Sequence, residues 1–161
     1  MIQSPNPGVF LPEGQPKETR MIKKPEPMTL IRYVVGIVFL TEGLLKLLHP
    51  QDLGAGRFSR IGLPWPGALA PFVAVVEIAG GLLLLVGLLP GYAALALLGV
   101  ISVALLTTKL PVLLNRPLGP FTLMKAPYYG LLGFLHESRT DLCMFMGTLA
   151  LILRHGFGKN R

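Results

Sequence analysis

The sequence predicts an all-α integral membrane bundle of four transmembrane helices behind a disordered N-terminal tail, and three observations carry that prediction. Of the 161 residues, 52% are hydrophobic and 14% charged, with a mean hydropathy of +0.59, whereas about a quarter of the residues of a soluble domain carry charge. The apolar residues come in blocks rather than at alternating or 3.6-residue spacing, and blocks of roughly 20 residues match the ~30 Å hydrocarbon thickness that a helix must span. Breakers such as His49-Pro50 and Pro90-Gly91 stand where such blocks should end.

Residues 1–27 hold Pro5, Pro7, Pro12, Pro16, Pro25 and Pro27 among Gly, Gln, Lys and Glu. Such a composition cannot bury enough surface to offset the entropy of ordering, and it predicts a flexible cytoplasmic tail. The first apolar block begins near Met28 with no small-residue cleavage site, so it is expected to stay in the mature protein. It forms span one, about 28–48. Residues 51–66, with Gly54, Gly56, Gly62, Pro64 and Pro66 around Arg57, Arg60 and Trp65, read as an interfacial loop. Span two covers about 67–89. The turn at Pro90-Gly91 is so short that span three, about 92–110, must pack antiparallel beside it.

Span four is read in two ways, because the apolar run Leu142 to Leu153 is shorter than a bilayer crossing and follows the polar string His136-Glu137-Ser138-Arg139-Thr140-Asp141. Either a long helix begins near Pro127 and takes the string into the bundle, or residues 128–135 lie at the interface and a new helix starts near Ser138. The spacing of Ser138 and Asp141 resembles a capping box and favours the second, giving a span over 138–155. The membrane domain then occupies 28–158, with 159–161 a short C-terminal tail.

The net charge of +7 and pI near 9.9 do not point to nucleic acid, because the basic residues flank apolar blocks, as membrane orientation requires. Lys17, Arg20, Lys23, Lys24 and Arg32 precede span one and Arg154, Lys159 and Arg161 follow span four. Both termini are therefore expected to be cytoplasmic, in agreement with an even number of spans. The single cysteine, Cys143, has no CxxC partner, which excludes thiol-disulfide chemistry within the chain; it reads as a small packing residue.

Ionisable residues inside spans are costly and therefore candidate functional groups. Glu42, Lys46 and Glu77 fall in the outer halves of spans one and two, about 9 to 14 Å from the ends for the two acids at 1.5 Å per residue. Thr107, Thr108, Lys109, His136, Glu137, Arg139 and Asp141 lie toward the same side. On span one, Arg32, Gly36, Phe39, Gly43 and Lys46 recur at spacings of three and four on one face. Gly36 and Gly43, with Gly80 and Gly81 in span two, would let helix backbones approach. Glu42 and Lys46 are i,i+4 neighbours and read equally well as a structural ion pair or as working groups. No cation follows Glu77 at i+3 or i+4. It must be protonated, pair across helices with Lys46, Lys109 or Arg139, or meet a cavity. The two histidines His49 and His136 are too few for a ligand set, and no metal is expected. Span three carries almost no charge before Lys109 and reads as the lipid-facing or oligomer-facing element.

These patterns resemble the DoxX family of small bacterial inner-membrane proteins. The resemblance rests on RYVVGIVFLTEGLLKL in span one, with Arg32, Gly36, Phe39, Glu42, Gly43, Lys46 and Leu47; on VEIAGGLLLLVGL from Val76 to Leu88; and on the charged string before a short apolar run and the Gly156-x-Gly158 pair. It implies a multi-pass protein of the bacterial inner membrane associated with oxidoreductase systems, including quinol-linked, thiosulfate and detoxification enzymes. No haem-attachment motif or Rossmann fingerprint occurs, so electron transfer would need a partner or a bound quinone, and catalysis by the chain alone is not expected. Three functions compete: an accessory or anchoring subunit for a membrane or soluble redox enzyme, a homo-oligomeric proton-coupled carrier, and a membrane scaffold.

Overall fold

The computed structural model describes residues 26–156. Residues 1–25 of the expected tail and the last five residues, Gly158 among them, lie outside these, while Glu26 and Pro27, also expected in the tail, cap and open the first helix. The fold is all-α: α1 (Pro27–Leu48), α2 (Ala55–Ile61), α3 (Pro66–Val86), α4 (Pro90–Ala104), a π-helical turn (Leu105–Lys109), α5 (Leu110–Leu114) and α6 (Gly130–His155). Proline opens three of these helices, at Pro27, Pro66 and Pro90, where its missing N–H has no intrahelical partner to lose and its fixed φ suits the first turn. Gly87 ends α3 at φ 81°, its N–H donating to the Leu83 and Leu84 carbonyls, a left-handed cap that glycine adopts without strain.

Among the described residues, three helices are long and apolar enough to cross a membrane: Pro27–Leu48, Pro66–Val86 and the continuous rod Pro90–Leu114. This corrects the expected count of four. The helix expected as span four, α6, is 26 residues long, but His136, Glu137, Arg139 and Asp141 fall within it, and that charge removes it from the apolar class. The even number of spans that supported placing both termini on one side therefore falls away. The expected start near Ser138 is also corrected, since α6 runs unbroken from Gly130 and Ser138 sits fully buried in mid-helix.

α1 packs along α3 and α6, α4 packs along α3 and α6, and the core forms among them from Val35, Phe39, Leu84, Ala93, Ala94, Leu97, Ile101, Met144 and Leu151. The most extensive contact is between α1 and α3. A Cβ on Gly43 would lie 2.7 Å from the Ala74 carbonyl oxygen, and one on Gly81 would lie 2.8 Å from the Gly36 oxygen. Only glycine lets the two backbones meet at that distance. Gly80 instead receives Leu97 of α4, so the span-two glycines are divided between two neighbours. Span three, expected to face outward, supplies Ala93, Ala94, Leu97 and Ile101 to the core. Cys143, expected to pack inside, is exposed on α6.

Candidate functional site

The third rod is deformed where it reaches the polar region. Pro111 has no N–H to return to the preceding turn, and the Leu110 N–H reaches back five residues to the Leu105 carbonyl instead of four. The resulting π turn is a local widening of the kind often found at functional sites. It presents Thr107, Thr108 and Lys109 to a cavity bounded by α1, α2, α3 and α6. Both threonine hydroxyls are used within the rod, Thr107 Oγ1 donating to the Val103 carbonyl at 2.8 Å and Thr108 Oγ1 to that of Ala104 at 2.6 Å. They line the wall without offering a free donor.

The cavity has a volume of about 520 Å³, within the usual range for small-molecule sites. Phe39, Phe58, Phe72, Ile101 and Met144 supply apolar wall, while Glu42, Lys46, Arg57, Glu77, Lys109, Glu137 and Asp141 bring charge. Two ion-pair groups account for five of these seven. Lys46 Nζ lies 2.7 Å and 3.0 Å from the two carboxylate oxygens of Glu77, across the α1–α3 contact. It also lies 3.4 Å from Glu42 Oε2 on its own helix. The side chains of Lys46 and Glu77 are 12% and 5% exposed, while that of Glu42 is 50% exposed. A buried carboxylate needs its partner far more than a half-exposed one does, so the interhelical pair is the principal contact of Lys46. On the other wall, Lys109 Nζ lies 3.5 Å from Asp141 Oδ2 and ties the π turn to α6.

Of the sequence-predicted site residues, Glu42, Lys46, Glu77, Glu137 and Asp141 thus line one cavity. Helical periodicity separates them from His136 and Arg139. On α6, Glu137, Thr140, Asp141 and Met144 recur at i, i+3, i+4 and i+7 and share the cavity face. Arg139 turns elsewhere, with Nη1 3.2 Å from the His136 carbonyl oxygen, and the His136 ring meets Tyr128 edge to face at 6.2 Å. Among the described residues, no group of three or more His, Cys, Asp or Glu is placed to hold a metal.

Arg57 was not singled out from the sequence, where a Gly- and Pro-rich stretch reads as a loop. The stretch contains α2, anchored by buried Phe58 and Ile61. Arg60 donates to the Gln51 and Asp52 carbonyls at 3.1 and 3.0 Å, and Thr122 reaches the Arg60 carbonyl through its hydroxyl at 2.6 Å and the Ile61 carbonyl through its N–H at 3.0 Å. The helix is thereby strapped over the cavity with Arg57 among its lining residues. The spacing of Arg57, Phe58 and Ile61 at i, i+1 and i+4 was the available signal for a short amphipathic helix.

The DoxX family profile matches residues 28–110, the stretch holding α1 through most of the third rod. An uncharacterized membrane protein of Mycobacterium tuberculosis is 41% identical over 128 residues, covering 80% of this chain and 74% of that protein. No solved structure matches the chain. The profile, the relative and the glycine-packed helices bearing Glu42, Lys46 and Glu77 agree, and this multi-pass membrane protein belongs to the DoxX family.

Proposed function

We propose that the protein is an accessory or anchoring subunit of a membrane-associated redox system, holding a small amphipathic ligand in the cavity between α1, α3, the π turn and α6. The observation that carries this reading is the cavity itself: apolar walls with charges supplied by four separate helical elements and the π turn, a pattern suited to orienting an amphipathic molecule. The redox association rests on the DoxX resemblance. In this reading quinone chemistry enters through the partner enzyme, and the chain supplies membrane attachment and ligand binding.

The carrier alternative asks for acids at membrane depth that exchange protons. Glu77 is committed through both oxygens to Lys46, an arrangement that favours a fixed site over a relay.

The test is purification of the tagged full chain in mild detergent, with mass spectrometry of co-purifying proteins and of extracted quinone. A stoichiometric redox enzyme carrying quinone, released by a Glu77→Ala variant that still folds, supports the subunit reading. A homo-oligomer with neither enzyme nor quinone overturns it.

A further inference from the structure

Seven charged side chains line the cavity, and two of them, Arg57 on α2 and Glu137 on α6, have no ion-pair or hydrogen-bond partner among the described residues. They do not pair with each other, since no contact within the 4 Å ion-pair distance joins them. Both are partly buried. The other cavity cations, Lys46 and Lys109, already hold Glu77 with Glu42, and Asp141. One positive and one negative group therefore remain uncommitted at separate places on the wall of the same cavity.

From this complementarity we propose that the cavity binds a zwitterionic amphiphile, its anionic group on Arg57, its ammonium on Glu137 and its apolar body against Phe39, Phe58 and Ile101. This rests on the cavity being a ligand site, as inferred above. A ligand with one charge would leave the opposite wall charge unmatched, and in a partly desolvated site an unmatched charge is expensive. A zwitterion matches both at once. The guanidinium is suited to a carboxylate or phosphate because its planar fork can make two parallel bonds. Arg57 needs little ordering to do so, because the Arg60 and Thr122 bonds already fix its helix over the cavity, which lowers the cost of binding. The chemistry is shared by two sources, the headgroup of phosphatidylethanolamine and a free apolar amino acid.

The experiment is calorimetric titration of the full chain in detergent with probes sharing one apolar body: phenylalanine, phenethylamine, 3-phenylpropionate and neutral 3-phenylpropanol. Dioctanoyl phosphatidylethanolamine and dioctanoyl phosphatidylglycerol are titrated beside them. At least one zwitterion is expected to bind ten-fold or more tightly than its singly charged or neutral counterparts. Preference for phosphatidylethanolamine identifies a lipid source and preference for phenylalanine a free one. Arg57→Gln should lower zwitterion affinity about ten-fold and leave that of phenethylamine unchanged, Glu137→Gln should lower zwitterion affinity likewise while sparing 3-phenylpropionate, and Arg57→Lys, which keeps the charge and loses the fork, should fall between the unaltered chain and Arg57→Gln. If neutral or singly charged probes bind as tightly as the zwitterions, the proposal falls and the ligand cavity stands. If no probe binds, the proposal and the ligand-binding part of the functional reading fall together. The comparison of probes on the unaltered chain decides the matter even where a variant fails to fold.

Discussion

Lys46 and Glu77 form an ion pair across the α1–α3 contact, with Nζ 2.7 Å from Oε2 and both side chains largely buried. The pair sits beside Gly43, whose missing side chain lets α1 approach the Ala74 carbonyl and the Glu77 Cβ. Glycine packing and charge pairing are therefore parts of one arrangement, since the lysine reaches its partner only because the backbones are close.

Breaking that pair on one side should cost much more than breaking the Glu42 contact. Lys46→Met leaves the Glu77 carboxylate buried without its cation, which should destabilise the fold by about 3 kcal/mol or more. Glu42→Gln removes a half-exposed i,i+4 partner, worth about 0.5 kcal/mol or less. Lys46→Met combined with Glu77→Leu should recover most of the loss. Unfolding titrations in mixed detergent micelles measure all three; equal losses for the two single variants would show that Glu42 shares the charge as fully as Glu77 does.

A side chain at Gly43 should separate α1 from α3. Gly43→Leu places atoms against the Ala74 backbone and Ile78, neither of which can yield as a flexible side-chain tip would, and overpacking of this kind costs about 1–3 kcal/mol. At Gly99 on α4 a Cβ meets nothing within 4 Å, and Gly99→Ala should be neutral or stabilising by up to about 1 kcal/mol. Thermal unfolding of the two variants in one detergent reads the contrast.

The three apolar spans were legible because proline and glycine mark their ends and little else competes with an apolar block for the bilayer. The partner of Glu77 was narrowed to Lys46, Lys109 or Arg139, and helix rotation decided among them: Lys46 faces α3, Lys109 is taken by Asp141, and Arg139 lies on the far face of α6 from the cavity. Legibility failed at α6. Its polar string looked like a helix start because capping patterns are local, whereas the reason these residues tolerate mid-helix positions is the cavity that receives Glu137 and Asp141. Arg57 was missed for a related reason. Glycine and proline around it signal a loop, and part of what fixes α2 comes from Thr122, 62 residues beyond Arg60.

The Lys109–Asp141 pair fixes the π turn against α6, and its geometry depends on the shifted register before Pro111. Pro111→Ala restores an N–H and lets the rod return to α-helical pairing, which rotates Lys109 away from Asp141. The variant should be no less stable locally yet lose the pair. Double-mutant cycles check this: the coupling between Lys109→Met and Asp141→Asn, expected at about 0.5–1 kcal/mol for a partly exposed pair, should vanish in the Pro111→Ala background. A coupling that persists there would show that the proline does not set the position of Lys109.

Ser138 distinguishes the two readings of the fourth helix directly. As the first residue of a capping box its hydroxyl would satisfy backbone donors, and Ser138→Ala would cost about 1 kcal/mol. In the structure Ser138 lies in mid-helix, fully buried, with Oγ lacking a hydrogen-bond partner. A buried hydroxyl without a partner opposes folding, so Ser138→Ala should leave stability unchanged or raise it by about 1 kcal/mol, with helical content unaltered. Circular dichroism and the unfolding midpoint together report both quantities. A loss of stability with reduced helicity would place the helix start at Ser138 after all, and would detach residues 130–137, with Glu137, from the wall of the cavity.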